Sequence, residues 1–110
     1  MDGAWALLHP EFVIEQPASF PHGGRHAGSD GMVGMGRTFS EHWDRTITNP
    51  RLLGCGDTAV KITTQTWTAK STGRSETVEV VELFTFRDGL IESIRVFQQD
   101  SHLLLSTLDS

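Results

Sequence analysis

The side chain best suited to acid–base chemistry is Glu82, a lone carboxylate in the apolar run Val80-Val81-Glu82-Leu83-Phe84. Held among such neighbours a carboxylate loses hydration, its pKa rises, and it becomes a proton donor or a tunable base. Whether it faces inward or outward, and beside what, turns on the Asp88-Gly89 turn that follows. A two-residue turn sets Glu82 opposite Arg95 as a cross-strand ion pair. A three-residue loop with a Gly bulge sets it beside Ile94 and Val96 instead. His22 and His26 flank Gly23-Gly24-Arg25, and an imidazole at a pocket mouth can exchange protons near neutral pH. Their i, i+4 spacing is that of a helical metal pair, but Pro21 and the double glycine oppose a helix and no further ligand lies nearby, so no metal is expected. Trp43, Trp67, Phe20, Phe84 and Phe97 offer flat apolar surface to a ring-shaped ligand, with Gln16 and Arg95 as its polar partners. Cys55, between two glycines and without a base to activate it, reads as a small buried hydrophobe.

The elements that must carry these groups follow from patterning. Residues 4–8 read as a short helix ended by His9-Pro10, and residues 12–16 as a strand stopped by Pro17. Residues 17–28 hold two Pro, three Gly and two His, which is loop chemistry. Ser29-Asp30 then offers an N-cap and a first-turn acid, behind which Met32, Met35, Phe39 and Trp43 recur at helical spacing. Gly31, Gly34 and Gly36 each weaken that helix by about 1 kcal/mol relative to Ala, so packing must hold it, with Gly34 and Gly36 allowing close approach to a sheet. His42 reads as a helix-surface residue. Strands are predicted over 51–55, 59–70, 76–86 and 90–99, with a tail over 103–108 apolar enough to pack somewhere. Helices followed by a run of antiparallel strands give an α+β order in a single domain, residues 1–110.

Composition narrows the partners. Nine basic against fourteen acidic side chains give a net charge of −5, and no run of Lys or Arg occurs, so neither nucleic acid nor an anionic membrane is expected as a partner. No apolar stretch is long enough to span a bilayer. A single cysteine excludes an internal disulfide, and a cytoplasmic location is expected.

The segment Val80-Val81-Glu82-Leu83-Phe84-Thr85-Phe86-Arg87-Asp88-Gly89-Leu90-Ile91 resembles the closing hairpin of SnoaL-like domains in the NTF2-like superfamily. Residues 12–31 resemble the same domains, a strand running through a Pro/Gly-rich loop to Gly28-Ser29-Asp30-Gly31 and a helix, and the order of elements agrees across nearly the whole chain. The resemblance implies a cone, a strongly bent antiparallel sheet wrapped over two or three helices around a mostly apolar pocket, with the N-terminal helix shortened here. It implies no cofactor, and the scaffold hosts polyketide cyclases, ketosteroid isomerases, epoxide hydrolases, dehydratases and proteins that only bind. In the isomerases a protonated Asp at the position of Glu82 donates to the oxyanion. Their general base falls at Gln16, which cannot take a proton, and their oxyanion Tyr has no counterpart in a chain without Tyr. The cyclases' Glu-His-Trp and following acid are replaced by Ser93-Ile94-Arg95-Val96. Glu82 and Arg95 stand for two members of the hydrolases' Asp-Arg-Asp set.

Two readings stay open. One is a cofactor-independent enzyme on a hydrophobic ring compound, with Glu82 carrying the proton, His26 or His22 at the mouth, and Trp43 and Trp67 gripping the ring. The other is a binding protein or dimer scaffold without catalysis. A homodimer is expected, because a small bent sheet leaves its outer face uncovered and the alternation of Lys61, Thr63 and Gln65 against Val60, Ile62 and Thr64 offers a half-polar face to a symmetry mate.

Overall fold

The computed structural model describes residues 7–109, which form strands β1 (Leu8–Gln16), β2 (Gly24–Ala27), β3 (Trp43–Cys55), β4 (Thr58–Ala69), β5 (Ser75–Arg87) and β6 (Leu90–Gln98), with helix α1 (Gly28–His42) after β2 and helix α2 (Ser101–Ser106) at the end. The strands make one sheet in the order β2-β1-β6-β5-β4-β3. Strands β1 and β3, near opposite ends of that order, both touch α1. A flat sheet of six strands is about 24 Å across and a helix about 10 Å wide, so the sheet must curl around the helix for both to reach it. The α+β order is as expected, with one difference in topology. The β1 and β6 strands run parallel, so the sheet is mixed rather than wholly antiparallel.

Alternation decides which side chains enter the curl. On β4, Thr63, Gln65, Trp67 and Ala69 are buried, and on β5 so are Val78 and Val80. Ile94 and Val96 on β6 and Phe12 and Ile14 on β1 complete the core, closed by Phe20, Phe39, Trp43 and Leu104. The apolar tail docks as α2, capped by Asp100, whose carboxylate accepts from the Leu103 N–H at 3.0 Å, with Leu104 fully enclosed.

Several local expectations are corrected. The strand predicted over 51–55 begins eight residues earlier, at Trp43, because Asn49-Pro50 does not end it. Asn49 takes the left-handed conformation (φ 51°) inside a register shift between Thr48 and Arg51, and β3 is the sheet edge, where a missing proline N–H costs no ladder bond. The residues read as loop include β2, paired with β1. Helix α1 starts one residue before Ser29, with Ala27 at the N-cap and no side-chain cap bond. Close approach falls on Gly31, where a Cβ would sit 3.0 Å from the His26 carbonyl carbon, and not on Gly34 or Gly36, which face open space. Cys55 ends exposed β3 and is itself exposed, so it is not a buried hydrophobe. The short helix predicted over 4–8 lies mostly outside the described residues, and Leu8 already belongs to β1.

Candidate functional site

The hairpin that carries Glu82 joins its strands through Asp88-Gly89 in a two-residue turn, both residues at positive φ (54° and 75°), with Arg87 opposite Leu90. Continued unbroken, that turn would place Arg95 beside Glu82. The register shifts by one between Thr85 and Phe86, where Glu92 is the extra residue, and Glu82 therefore faces Val96 while Arg95 faces Leu83. The shift comes from a bulge in β6 and not from a three-residue loop. Its physical reason is burial: without it Arg95 and Phe97 would point inward in place of Ile94 and Val96. The direction of Glu82 itself is independent of the turn, because β5 alternates and Glu82 shares the inner face of buried Val78 and Val80.

Inside the curl lies a cavity of about 510 Å³, lined from β1 by Gln16, from the following loop by His22, and from α1 by Met35 and Phe39. Trp43, Asp44, Arg45 and Ile47 of β3, Lys61, Gln65 and Trp67 of β4, Val80 and Glu82 of β5, and Val96 and Gln98 of β6 supply the rest, with Gly36 and Ser40 of α1. The expected mostly apolar lining is thus corrected to a mixed one, with an aromatic end and a polar end.

At the polar end Lys61 stands directly across from Glu82 on β4. Burial raises the Glu82 pKa, and the nearby Lys61 and Arg45 charges pull partly against that rise. Among the described residues neither cation lies within 4.0 Å of its carboxylate, so no tight ion pair quenches it. The Arg45 guanidinium lies over the Phe39 ring, 4.8 Å from its centroid.

At the aromatic end His22 is buried in a cage. Phe20 stacks on it at 5.0 Å, and Phe39, Trp43 and Trp67 surround it at 5.2 to 5.9 Å. The cage is tied to β4 by hydrogen bonds from Trp67 Nε1 to Gln65 Oε1 (2.9 Å) and from Gln65 Nε2 to Thr63 Oγ1 (3.0 Å), and to the end of α2 by one from Trp43 Nε1 to Thr107 Oγ1 (2.8 Å). Burial, with the positive fields of Arg45, His26 and His42, drives the His22 pKa down to about 4. His22 is therefore a neutral imidazole at pH 7 and not the near-neutral acid–base group at a pocket mouth that its loop suggested.

The remaining predicted residues divide. Gln16, Trp43 and Trp67 line the cavity with Glu82 and His22. His26 does not: its Nε2 bonds the His22 carbonyl at 2.9 Å and braces the loop. Phe20 lies behind His22, and Phe84, though half-buried on the inner face, sits outside the lining. Arg95 and Phe97 are on the outer face, the guanidinium 5.3 Å from the ring centroid, because the β6 bulge turns both outward. His42 is half-buried beside Trp43 rather than free on the helix surface. Sequence reasoning misses Lys61, Arg45, Phe39 and Gln98 as site residues. Lys61 and Gln65 share a parity with Trp67, and an indole on that face is the signal that it is the inner one.

The depressed His22 pKa makes a stability prediction. The unfolded chain binds a proton at this site near pH 6.5 and the folded chain only near 4, so the contribution of His22 to stability is full above pH 6.5 and falls as pH drops through that window. At about 1.4 kcal/mol per pH unit, discounted for water on the cavity side, the loss is about 2 kcal/mol. Urea melts of wild type and His22→Phe between pH 7 and 4 check this, the variant being expected to show a flatter acid limb.

The SnoaL-like domain family matches residues 1–94 of the chain. No curated protein matches it. Among solved structures, an NTF2-like protein from Burkholderia thailandensis E264 is similar at TM-score 0.88 and 25% identity, covering 96% of this chain and 82% of that one. TerC, co-crystallized with polyporic acid, is similar at TM-score 0.85 and 20% identity, over 99% of this chain and 85% of its own. A SnoaL-like polyketide cyclase, so described, from Jannaschia sp. CCS1 is similar at TM-score 0.77 and 18% identity, over 98% and 78%. At these identities what is shared is the α+β cone.

Proposed function

The chain belongs to the SnoaL-like domain family, and from that premise we propose that its cone binds a hydrophobic ring-bearing small molecule and moves a proton on it without a cofactor. The observation that carries the reading is the Glu82 carboxyl, on the inner face, at a cavity wall, with its pKa raised by burial and no ion pair holding it. Such a carboxylate takes a proton from a carbon next to a ring carbonyl. The C–H electron pair becomes a C=C bond and the carbonyl pair moves onto oxygen. Arg45 and Lys61 supply positive charge for that enolate. Glu82 then returns the proton, to the same carbon in simple exchange or to a conjugated one in isomerisation. Trp43, Trp67 and Phe39 give the ring its apolar seat. The likeness to TerC, co-crystallized with polyporic acid, and to a structure described as a polyketide cyclase supports a small-molecule occupant.

The test is uptake of solvent deuterium by β-tetralone, a ring ketone with acidic C–H bonds, followed by NMR with and without the protein. Uptake above the buffer rate is expected. A rate equal to buffer, with the ketone bound, leaves the second reading, binding without turnover. That reading draws on Gln16, an amide where a second carboxylate would assist proton transfer.

The same proposal extends to a homodimer through the outer sheet face. There two apolar rows cross the strands, Leu53-Val60-Leu83 and Ile62-Val81-Phe97, with Leu53 and Phe97 exposed. This is the Val60 and Ile62 side, since Lys61, Thr63 and Gln65 face inward. Light scattering is expected to give twice the chain mass, and Val81→Asp to give the monomer with its fold intact.

A further inference from the structure

Three buried side-chain polar atoms among the described residues have no protein partner: Gln16 Oε1, His22 Nδ1 and Gln98 Oε1. All three belong to residues that line the cavity described above. Elsewhere in the core polar atoms are paired, as the chain Trp67–Gln65–Thr63 and the Trp43–Thr107 bond show. Unpaired buried polar atoms are costly, and their gathering around one cavity is what a site left open for a hydrogen-bonding ligand requires.

The register locates them. Glu15 is level with Arg95 in the parallel β1–β6 pair, which puts Gln16 one step further, beside Val96, and Gln98 two residues beyond that on β6. The two Cα atoms are then about 8 Å apart, from one strand spacing and two strand rises. Gln98 is also opposite Val80, and Glu82 is opposite Val96, so Gln16 flanks the residue that faces Glu82 and Gln98 lies two residues beyond it. Gln16 Nε2 is spent on Met35 Sδ at 3.5 Å, which leaves its carbonyl oxygen as the group without a partner. Neutral His22 offers a third hydrogen-bonding atom from the aromatic side.

We infer that Gln16 and Gln98 are specificity-determining residues that select a ring compound carrying two hydrogen-bond-donating hydroxyls, each received by one amide oxygen. The inference rests on the cavity being the ligand site, as proposed above, and adds the class of ligand. Water can serve the same oxygens in the unliganded protein, and a ligand that displaces it must replace its hydrogen bonds or lose affinity. A ring bearing methyl ethers of the same shape leaves both amide oxygens buried and unmet, whereas the diol satisfies them. Sites built on such acceptors discriminate strongly against partners that lack the donor.

The experiment is equilibrium binding of 2,7-dihydroxynaphthalene and 2,7-dimethoxynaphthalene, followed by quenching of tryptophan fluorescence from Trp43 and Trp67. The diol is expected to bind about tenfold tighter than the diether, or more. Gln16→Leu and Gln98→Leu are each expected to shrink that ratio several-fold, because the diol loses an acceptor and the diether no longer strands one, with the melting temperature of the free protein near wild type. Equal affinities for the two probes, or no binding of either, overturn the inference. So does a ratio unchanged in both variants. If the ratio holds and β-tetralone exchange fails, the proton-transfer reading falls and this one stands. If exchange succeeds and the ratio is one, the reverse is true.

Discussion

Glu82→Gln is expected to lower enzyme-dependent deuterium uptake into β-tetralone by roughly 100- to 10,000-fold, the range that a positioned general base contributes. The amide keeps the shape of the carboxyl and cannot hold the transferred proton, so ring binding should stay within about threefold of wild type. The same variant carries a second, independent signature. Burial raises the Glu82 pKa, so the folded protein holds a proton there above the pH at which the unfolded chain has lost it. The contribution of this group to stability is therefore complete below the ordinary glutamate pKa near 4.5 and is lost as pH rises through the folded value. The variant's amide has no charge to bury and escapes that loss, although Lys61 and Arg45 lose a counter-charge. Because burial is the largest of the three influences, the net sign is stabilising, and the gap between variant and wild type should widen from pH 4 to 8. A variant that loses exchange and is less stable throughout would point to a damaged fold, not to a missing base. Wild-type exchange rates in Glu82→Gln would remove Glu82 from the chemistry altogether.

The fold is legible because its signals are local and redundant. The stripe of Met32, Met35 and Phe39 on α1, continued by Trp43 at the start of β3, survives three glycines because Phe39 and Trp43 enter the core. The long strands β4 and β5 announce themselves through β-branched alternation, within a residue or two of their observed ends. What is not legible depends on partners distant in the chain. The parallel pairing of β1 with β6 joins Glu15 to Arg95, and no local pattern encodes it. The β6 bulge is set by a competition between burying Ile94 and Val96 and burying Arg95 and Phe97, which can be posed from the sequence only once the inner face is known. The site suffers accordingly. Composition and spacing put Arg95 and Phe97 inside although the bulge turns them out, and Lys61 on an outer face although its parity with Trp67 puts it in. His22 and His26 look equivalent as loop histidines. Four aromatic rings from α1, β3, β4 and the loop itself take one of them into the core, and a backbone carbonyl holds the other at the side.

The same cage sets the largest expected effect on stability. Trp67 is 1% exposed, with ring centroids of Phe39, Trp43 and Phe20 at 4.8, 5.1 and 5.2 Å, and its indole N–H is the donor that occupies Gln65 Oε1. Trp67→Ala removes that surface, leaves a hole that β4 cannot close without tearing its pairing to β3 and β5, and strands Gln65. The expected cost is about 3–5 kcal/mol, a large share of the roughly 5–15 kcal/mol that holds a domain of this size together. Trp67→Phe separates the two contributions, because it keeps most of the ring packing and loses only the hydrogen bond, for about 1–3 kcal/mol. At about 4 °C per kcal/mol the two variants should melt at clearly different temperatures, alanine about 12 °C or more below wild type and phenylalanine between them. The order decides what the cage is for. If phenylalanine melts as low as alanine, the Gln65 bond and not the packing holds β4 to the cage, and the Thr63–Gln65–Trp67 chain becomes the structural spine of the site. If alanine costs little, the ring stands in open space, and the cavity is wider and wetter than the burial of Trp67 requires.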